Sequence, residues 1–73
     1  MSETEKETLA QRLSRLREFA CLTQDELAKK AEVSGVTISR IENGASASPA
    51  VARKLAKALG VEPGWFRTGR KKA

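Results

Sequence analysis

Leu9, Leu13, Leu16 and Ala20 recur three or four residues apart, with Arg12, Arg15 and Glu18 between them, a spacing that predicts an amphipathic helix over residues 8–20. Ser2 and Thr4 are candidate caps for an earlier start. A second apolar set, Leu27, Ala28 and Ala31, predicts a helix over residues 24–31. A third, Ile38 and Ile41, predicts one over residues 35–43, with Val33 filling the turn before it. Gly44 ends the third helix, where a left-handed residue is cheapest, and residues 45–48 form a loop of small side chains. Ser48-Pro49 then supplies a cap followed by proline at the first helical position. Val51, Leu55, Ala58 and Leu59 form the stripe of a fourth helix that stops at Gly60, and Glu62-Pro63 opens a short fifth turn carrying Trp65 and Phe66. With no strand pattern and no repeat, the expected fold is all-α, a compact domain of five helices. Residues 8–69 hold it, between an acidic, flexible stretch at 1–7 and a basic tail at 70–73.

The second and third helices are the most closely coupled. Thr23 and Glu26 form a T-x-x-E capping box, in which the Thr hydroxyl accepts from the first turn and the Glu reaches back. Ser34 caps the third helix only three residues after Ala31. Helices joined by so little chain cross steeply, the geometry in which one helix braces another against a duplex groove.

Charge and composition narrow the chemistry. Seventy-three residues support one small core, which buries about 60% of the surface the unfolded chain exposes. The net charge is +5, and its distribution is uneven: residues 1–7 hold three Glu against one Lys, a net of −2, leaving +7 on the rest. A basic domain behind a short acidic stretch suggests a polyanionic partner. Cys21 is the single cysteine and there is no histidine, so the usual metal-ligand and nucleophile-base sets cannot be assembled. These features argue against an enzyme, and no cofactor or metal is expected. No apolar run approaches the roughly 20 residues needed to cross a bilayer, and the N-terminal residues do not form a signal peptide, so a cytoplasmic location and no membrane partner are expected. Cys21 itself reads as an inert, partly buried small residue rather than a redox sensor.

On a helical wheel Ile38 and Ile41 define the inner side of the third helix, and the outer side carries Val36, Arg40 and Asn43, with Ser39 at its edge. Lys and Glu would be usual on a merely solvated face. Each residue present has a use in a major groove: Arg40 can donate two bonds to guanine O6 and N7, Val36 can meet a thymine methyl, and Ser39 or Asn43 can bond a base edge or a phosphate. The alternative is a stray surface valine beside a solvated or ion-paired arginine. Glu42 lies toward the core and needs a cation there, and Arg17, one position beyond Leu16 on the first helix, is the candidate.

The motifs L-x-x-L-R (residues 13–17), L-T-Q-x-E-L-A (22–28), V-S-x-x-T-I-S-R-I-E-N-G (33–44), L-A-K-A-L-G-V (55–61) and W-F-x-x-G (65–69) occur in order. Together they make the chain resemble the Cro and phage-repressor type of helix-turn-helix domain, also called the xenobiotic-response-element family, from residue 9 through residue 69. The resemblance implies a five-helix globule in which Gln24 touches a phosphate and supports a base contact, while Ser34 and the exposed side of the third helix meet the major groove. It places Gly35, Val36 and Arg40 where such proteins read bases. Thr37, Asn43 and the 44–48 loop, with Ala45 and Ser46, fall where they meet the sugar-phosphate backbone. It also implies an ion pair between Arg17 and Glu42, which agrees with the helical-wheel argument. Three residues depart from the family's habit. Cys21 and Glu32 stand where Gly is common, each at a cost of about 1 kcal/mol if left-handed. Gly35, in turn, brings no side chain to a base-reading position.

One such helix contacts too few base pairs for specificity across a genome, so a symmetric homodimer reading an inverted repeat is expected. Val61, Trp65 and Phe66 are the candidate interface, with Trp65 the more inward of the two aromatics and Phe66 the more available. Arg53, Lys54 and Lys57 on the fourth helix, and the basic residues of 67–72, are candidates for phosphate contacts. The expected activity is that of a double-stranded-DNA-binding transcriptional regulator, a repressor that occludes a promoter. An antitoxin or a transcriptional adaptor, whose main role is to bind a protein partner, is the alternative on the same fold. Co-purification with a stoichiometric partner would favour that alternative.

Overall fold

In a computed structural model of the chain, residues 7–69 are described. The candidate caps Ser2 and Thr4 and the basic tail at 70–73 lie outside them. The described residues form five helices and no strand: α1 (Leu9–Phe19), α2 (Gln24–Ala31), α3 (Gly35–Glu42), α4 (Pro49–Leu59) and α5 (Pro63–Thr68). The fold class is the expected all-α one, with every helix in its expected place.

The start of each helix is set locally. Thr8 caps α1, accepting from the Gln11 amide, while the Gln11 side chain accepts from Thr8, so T-x-x-Q here acts as the same reciprocal box as T-x-x-E at Thr23 and Glu26. Ser34 accepts from Thr37 N at 3.1 Å and Ser48 from Val51 N at 3.3 Å, which starts α3 and α4. Cys21 (φ 60°) and Glu32 (φ 61°) both adopt the left-handed conformation, making the turns between α1 and α2 and between α2 and α3 without glycine. Cys21 is exposed, not partly buried as its sequence position suggested.

The core is one cluster built around Leu13, Leu27, Ile38, Ile41, Leu55 and Phe66. α1 packs on α3 and α5, α2 packs on α3 and α4, and α4 packs on α5. α3 is thus held from behind by both of its predecessors. On α4 the deepest residues are Ala52, Leu55 and Ala56, while Val51, Ala58 and Leu59 are half-buried at the edge. The stripe is turned from the expected one, with Ala52 and Ala56 at its centre beside Leu55.

Candidate nucleic-acid interface

Beneath α3 a polar cluster fixes its position. Arg17 Nε donates to Glu42 Oε2 at 2.6 Å and Arg17 Nη2 to Oε1 at 3.2 Å, a two-pronged pair between the end of α1 and the end of α3. The third arm, Nη1, donates to the Leu22 carbonyl at 2.9 Å, so the same arginine also holds the turn into α2. Glu42 Oε1 accepts two more bonds, from Ser14 Oγ at 3.0 Å and Gln24 Nε2 at 3.1 Å. Burial pushes the Glu42 carboxyl up, but the hydrogen bonds from Arg17, Gln24 and Ser14 and the charge of Arg17 outweigh it, leaving it below the ordinary glutamate range. Its hydrogen bond to Glu42 in turn raises Arg17 above the ordinary arginine value. Three helices are therefore tied at one carboxylate, and Gln24, a candidate for DNA contact, has one amide hydrogen engaged there.

A second cluster was not foreseen. Arg12 is 3% exposed. Its Nη1 donates to the Phe66 carbonyl at 2.7 Å and its Nη2 to the Glu7 carbonyl at 3.0 Å. The guanidinium also lies 5.6 Å from the centre of the Trp65 ring, a cation-π contact. Gly69, at φ +77°, closes over the same group, and a Cβ there would collide with the guanidinium. Glu7 bonds Arg15 Nε at 2.6 Å and Nη2 at 2.9 Å, so it belongs with the folded residues rather than with a flexible stretch. The signal for Arg12 was its register: it sits three residues after Leu9 and four before Leu16, on the apolar stripe itself.

The outer face of α3 is different in kind. Val36 is 61% exposed, one of two large apolar side chains left so in the described residues. The other is Phe19, at the end of α1. Arg40 is exposed, and its side chain makes no hydrogen bond or ion pair among the described residues. Thr37, Arg40, Ala45, Ser46, Ser48 and Val51 border one shallow open concavity between α3 and the start of α4. The fold thereby brings three of the candidate phosphate contacts, Thr37, Ala45 and Ser46, beside the arginine proposed to read a base. Ser39 is half-buried, and its carbonyl accepts from Asn43 Nδ2 at 2.8 Å, which turns the Asn43 amide back onto its own helix. Ser34 and Thr37 share a hydroxyl contact of 2.8 Å at the helix start. Gly35 is half-buried, and a Cβ there would lie 3.0 Å from Asp25 Oδ1. Arg53 and Lys54 are exposed on α4.

The expected dimer surface needs one correction. Phe66 is fully buried and belongs to the core, so it has no surface to offer a second copy, whereas Trp65 and Val61 are half-buried. The two aromatics exchange the roles expected of them because α5 turns Phe66 inward and lays Trp65 across Arg12. A six-residue helix is too short for its periodicity to have told them apart.

Residues 13–66, well over half of the chain, match the helix-turn-helix protein family. The match begins at Leu13 and ends at Phe66, two of the side chains that are fully buried, so it spans the core as well as the coupled helices. With α2 and α3 joined by a tight turn and DNA as the partner the family implies, the chain belongs to the Cro and phage-repressor type of helix-turn-helix DNA-binding proteins.

Proposed function

We propose that the protein is a transcriptional repressor that binds an inverted-repeat operator as a homodimer, with α3 in the major groove. The observation that carries this reading is the outer face of α3, where an exposed valine and an unpaired arginine stand on a helix locked from behind. Arg40 reads guanine and Val36 meets a thymine methyl, with Ser39, Ser34 and Gln24 at the margins of the same contact. Thr37, Asn43, Ala45, Ser46, Arg53 and Lys54 hold the backbone of the duplex and carry no sequence information.

A second copy meets the first through the outer side of α5, where Pro63 and Gly64 are exposed beside Trp65 and Val61. That surface is small, so the dimer forms mainly on DNA. A cytoplasmic location follows from the partner. Selection of bound duplexes from random sequence tests the proposal: the expected result is a palindromic motif whose half-sites lie about 34 Å apart, one helical turn. A motif without two-fold symmetry removes the homodimer. No enriched motif, together with a stoichiometric protein partner in pull-down, replaces the repressor with the antitoxin or adaptor reading.

A further inference from the structure

Asp25 is out of place on a DNA-binding surface. It is exposed in the first turn of α2, and its Oδ1 lies 3.0 Å from the position a Gly35 Cβ would take, at the first residue of α3. A side chain at 35 would meet the carboxylate in tight contact, and one of the two would have to give by a few tenths of an ångström. Gln24, the preceding residue, has one amide hydrogen engaged by Glu42 at 3.1 Å, and Asp25 flanks the first residue of α3. The carboxylate takes no hydrogen bond among the described residues, and a negative charge at this edge weakens attraction to phosphate.

In a helix-turn-helix protein the N-terminal residues of the second helix are the ones that reach base edges. A carboxylate seated beside them presents acceptors without donors, and the base-edge group that such a pair of oxygens selects in the major groove is the exocyclic amine of cytosine. We infer that Asp25 is a specificity-determining residue, its carboxylate accepting from cytosine N4 at one position of the half-site. Gly35 contributes to base reading by making room for that acceptor. The assignment rests on α3 entering the major groove as proposed above. A role confined to the electrostatics of the α3 N-terminus would affect stability and leave base preference untouched.

Selection from random duplexes, carried out in parallel with the native chain and with Asp25→Asn, Asp25→Ala and Gly35→Ala, separates these roles. The native chain is expected to select a motif with cytosine at one position. Asp25→Asn, close in shape, is expected to exchange that cytosine for adenine, whose N6 and N7 suit an amide. Asp25→Ala is expected to lose about tenfold in preference there while its binding to random DNA rises. Gly35→Ala keeps the charge and is expected to weaken preference at the same position. A thermal melt of Asp25→Asn close to that of the native chain shows that the exchange is not a folding effect. An unchanged motif in both Asp25 variants overturns the inference while leaving the reading of α3 intact. No motif for the native chain overturns both.

Discussion

Arg17, beneath the helix pair, and Arg12, between α1 and α5, have guanidinium groups bonded on several sides, whereas the side chain of Arg40, on the outer face of α3, has no partner among the described residues. The same side chain serves two ends. A planar fork surrounded by carboxylate and carbonyl oxygens is a fastener, and its removal strands buried acceptors. A fork with its donors free, on a helix packed from behind by α1 and α2, is ready for an external acceptor without first breaking an internal bond. On the proposed function, the underside of the molecule governs whether α3 is in place, and the outer face governs what it reads. Substitutions should divide along the same line.

The largest effects belong to the underside. Phe66→Ala is expected to cost about 3 to 5 kcal/mol, enough to consume most of the stability of so small a domain, and chemical denaturation would read it directly. A loss under about 1 kcal/mol would return Phe66 to the surface. Arg17→Ala is expected to cost about 3 kcal/mol in the same experiment, because Glu42 keeps Ser14 and Gln24 but loses its counter-charge. DNA preference in the surviving folded fraction should be unchanged.

Acid should act on the underside. Glu42 and Glu7 both titrate below the ordinary range: Glu42 for the reasons given above, and Glu7 chiefly through its hydrogen bonds to Arg15, against the upward push of burial and helped by the charges of Arg15 and Arg12. A carboxyl whose folded value is depressed adds stability that is complete above its unfolded value and is lost as the pH falls through the folded one. The melting temperature should thus fall once the pH drops below about 5, and Glu42→Gln should flatten that decline while starting from a lower plateau. An undiminished slope in the variant would place the acid sensitivity elsewhere.

Smaller again is the expected effect of the proposed phosphate contacts on the outer side. Lys54→Ala should weaken cognate and random DNA alike and reduce the salt slope by about 1, read from titrations over a range of salt. A loss confined to the cognate site would make Lys54 a reader of bases. The smallest expected change is a gain. Glu32→Gly relieves a left-handed non-glycine residue, as does Cys21→Gly, and each should raise stability by up to about 1 kcal/mol without altering DNA preference.

Much of this division could be read before the structure. The five helices follow from apolar spacing and from caps at Thr23, Ser34 and Ser48, signals that reside in neighbouring residues. The Arg17 and Glu42 contact was legible because a helical wheel leaves Glu42 facing inward with a cation required. Arg12 was not: it stands among the charged residues between the apolar ones, and only its register, three residues after Leu9 and four before Leu16, places it on the stripe. Nor was the reversal of Trp65 and Phe66, which depends on how a single turn docks on α4. The seat of Asp25 over Gly35 joins two helices across a left-handed turn, and local pattern carries no information about such a meeting.

On the proposed function, the outer face of α3 reads sequence while the rest of the molecule holds it in place. The affinity of the Arg40→Ala variant for a selected site and for random duplex at one salt concentration, with a melt to show that the fold is intact, decides whether it does. The expected result is a loss of about 1 to 3 kcal/mol on the selected site, a smaller loss on random DNA and a relaxed preference for guanine at one position. Equal losses on the two duplexes, with the native melt, would show Arg40 to be a phosphate contact and contradict the account.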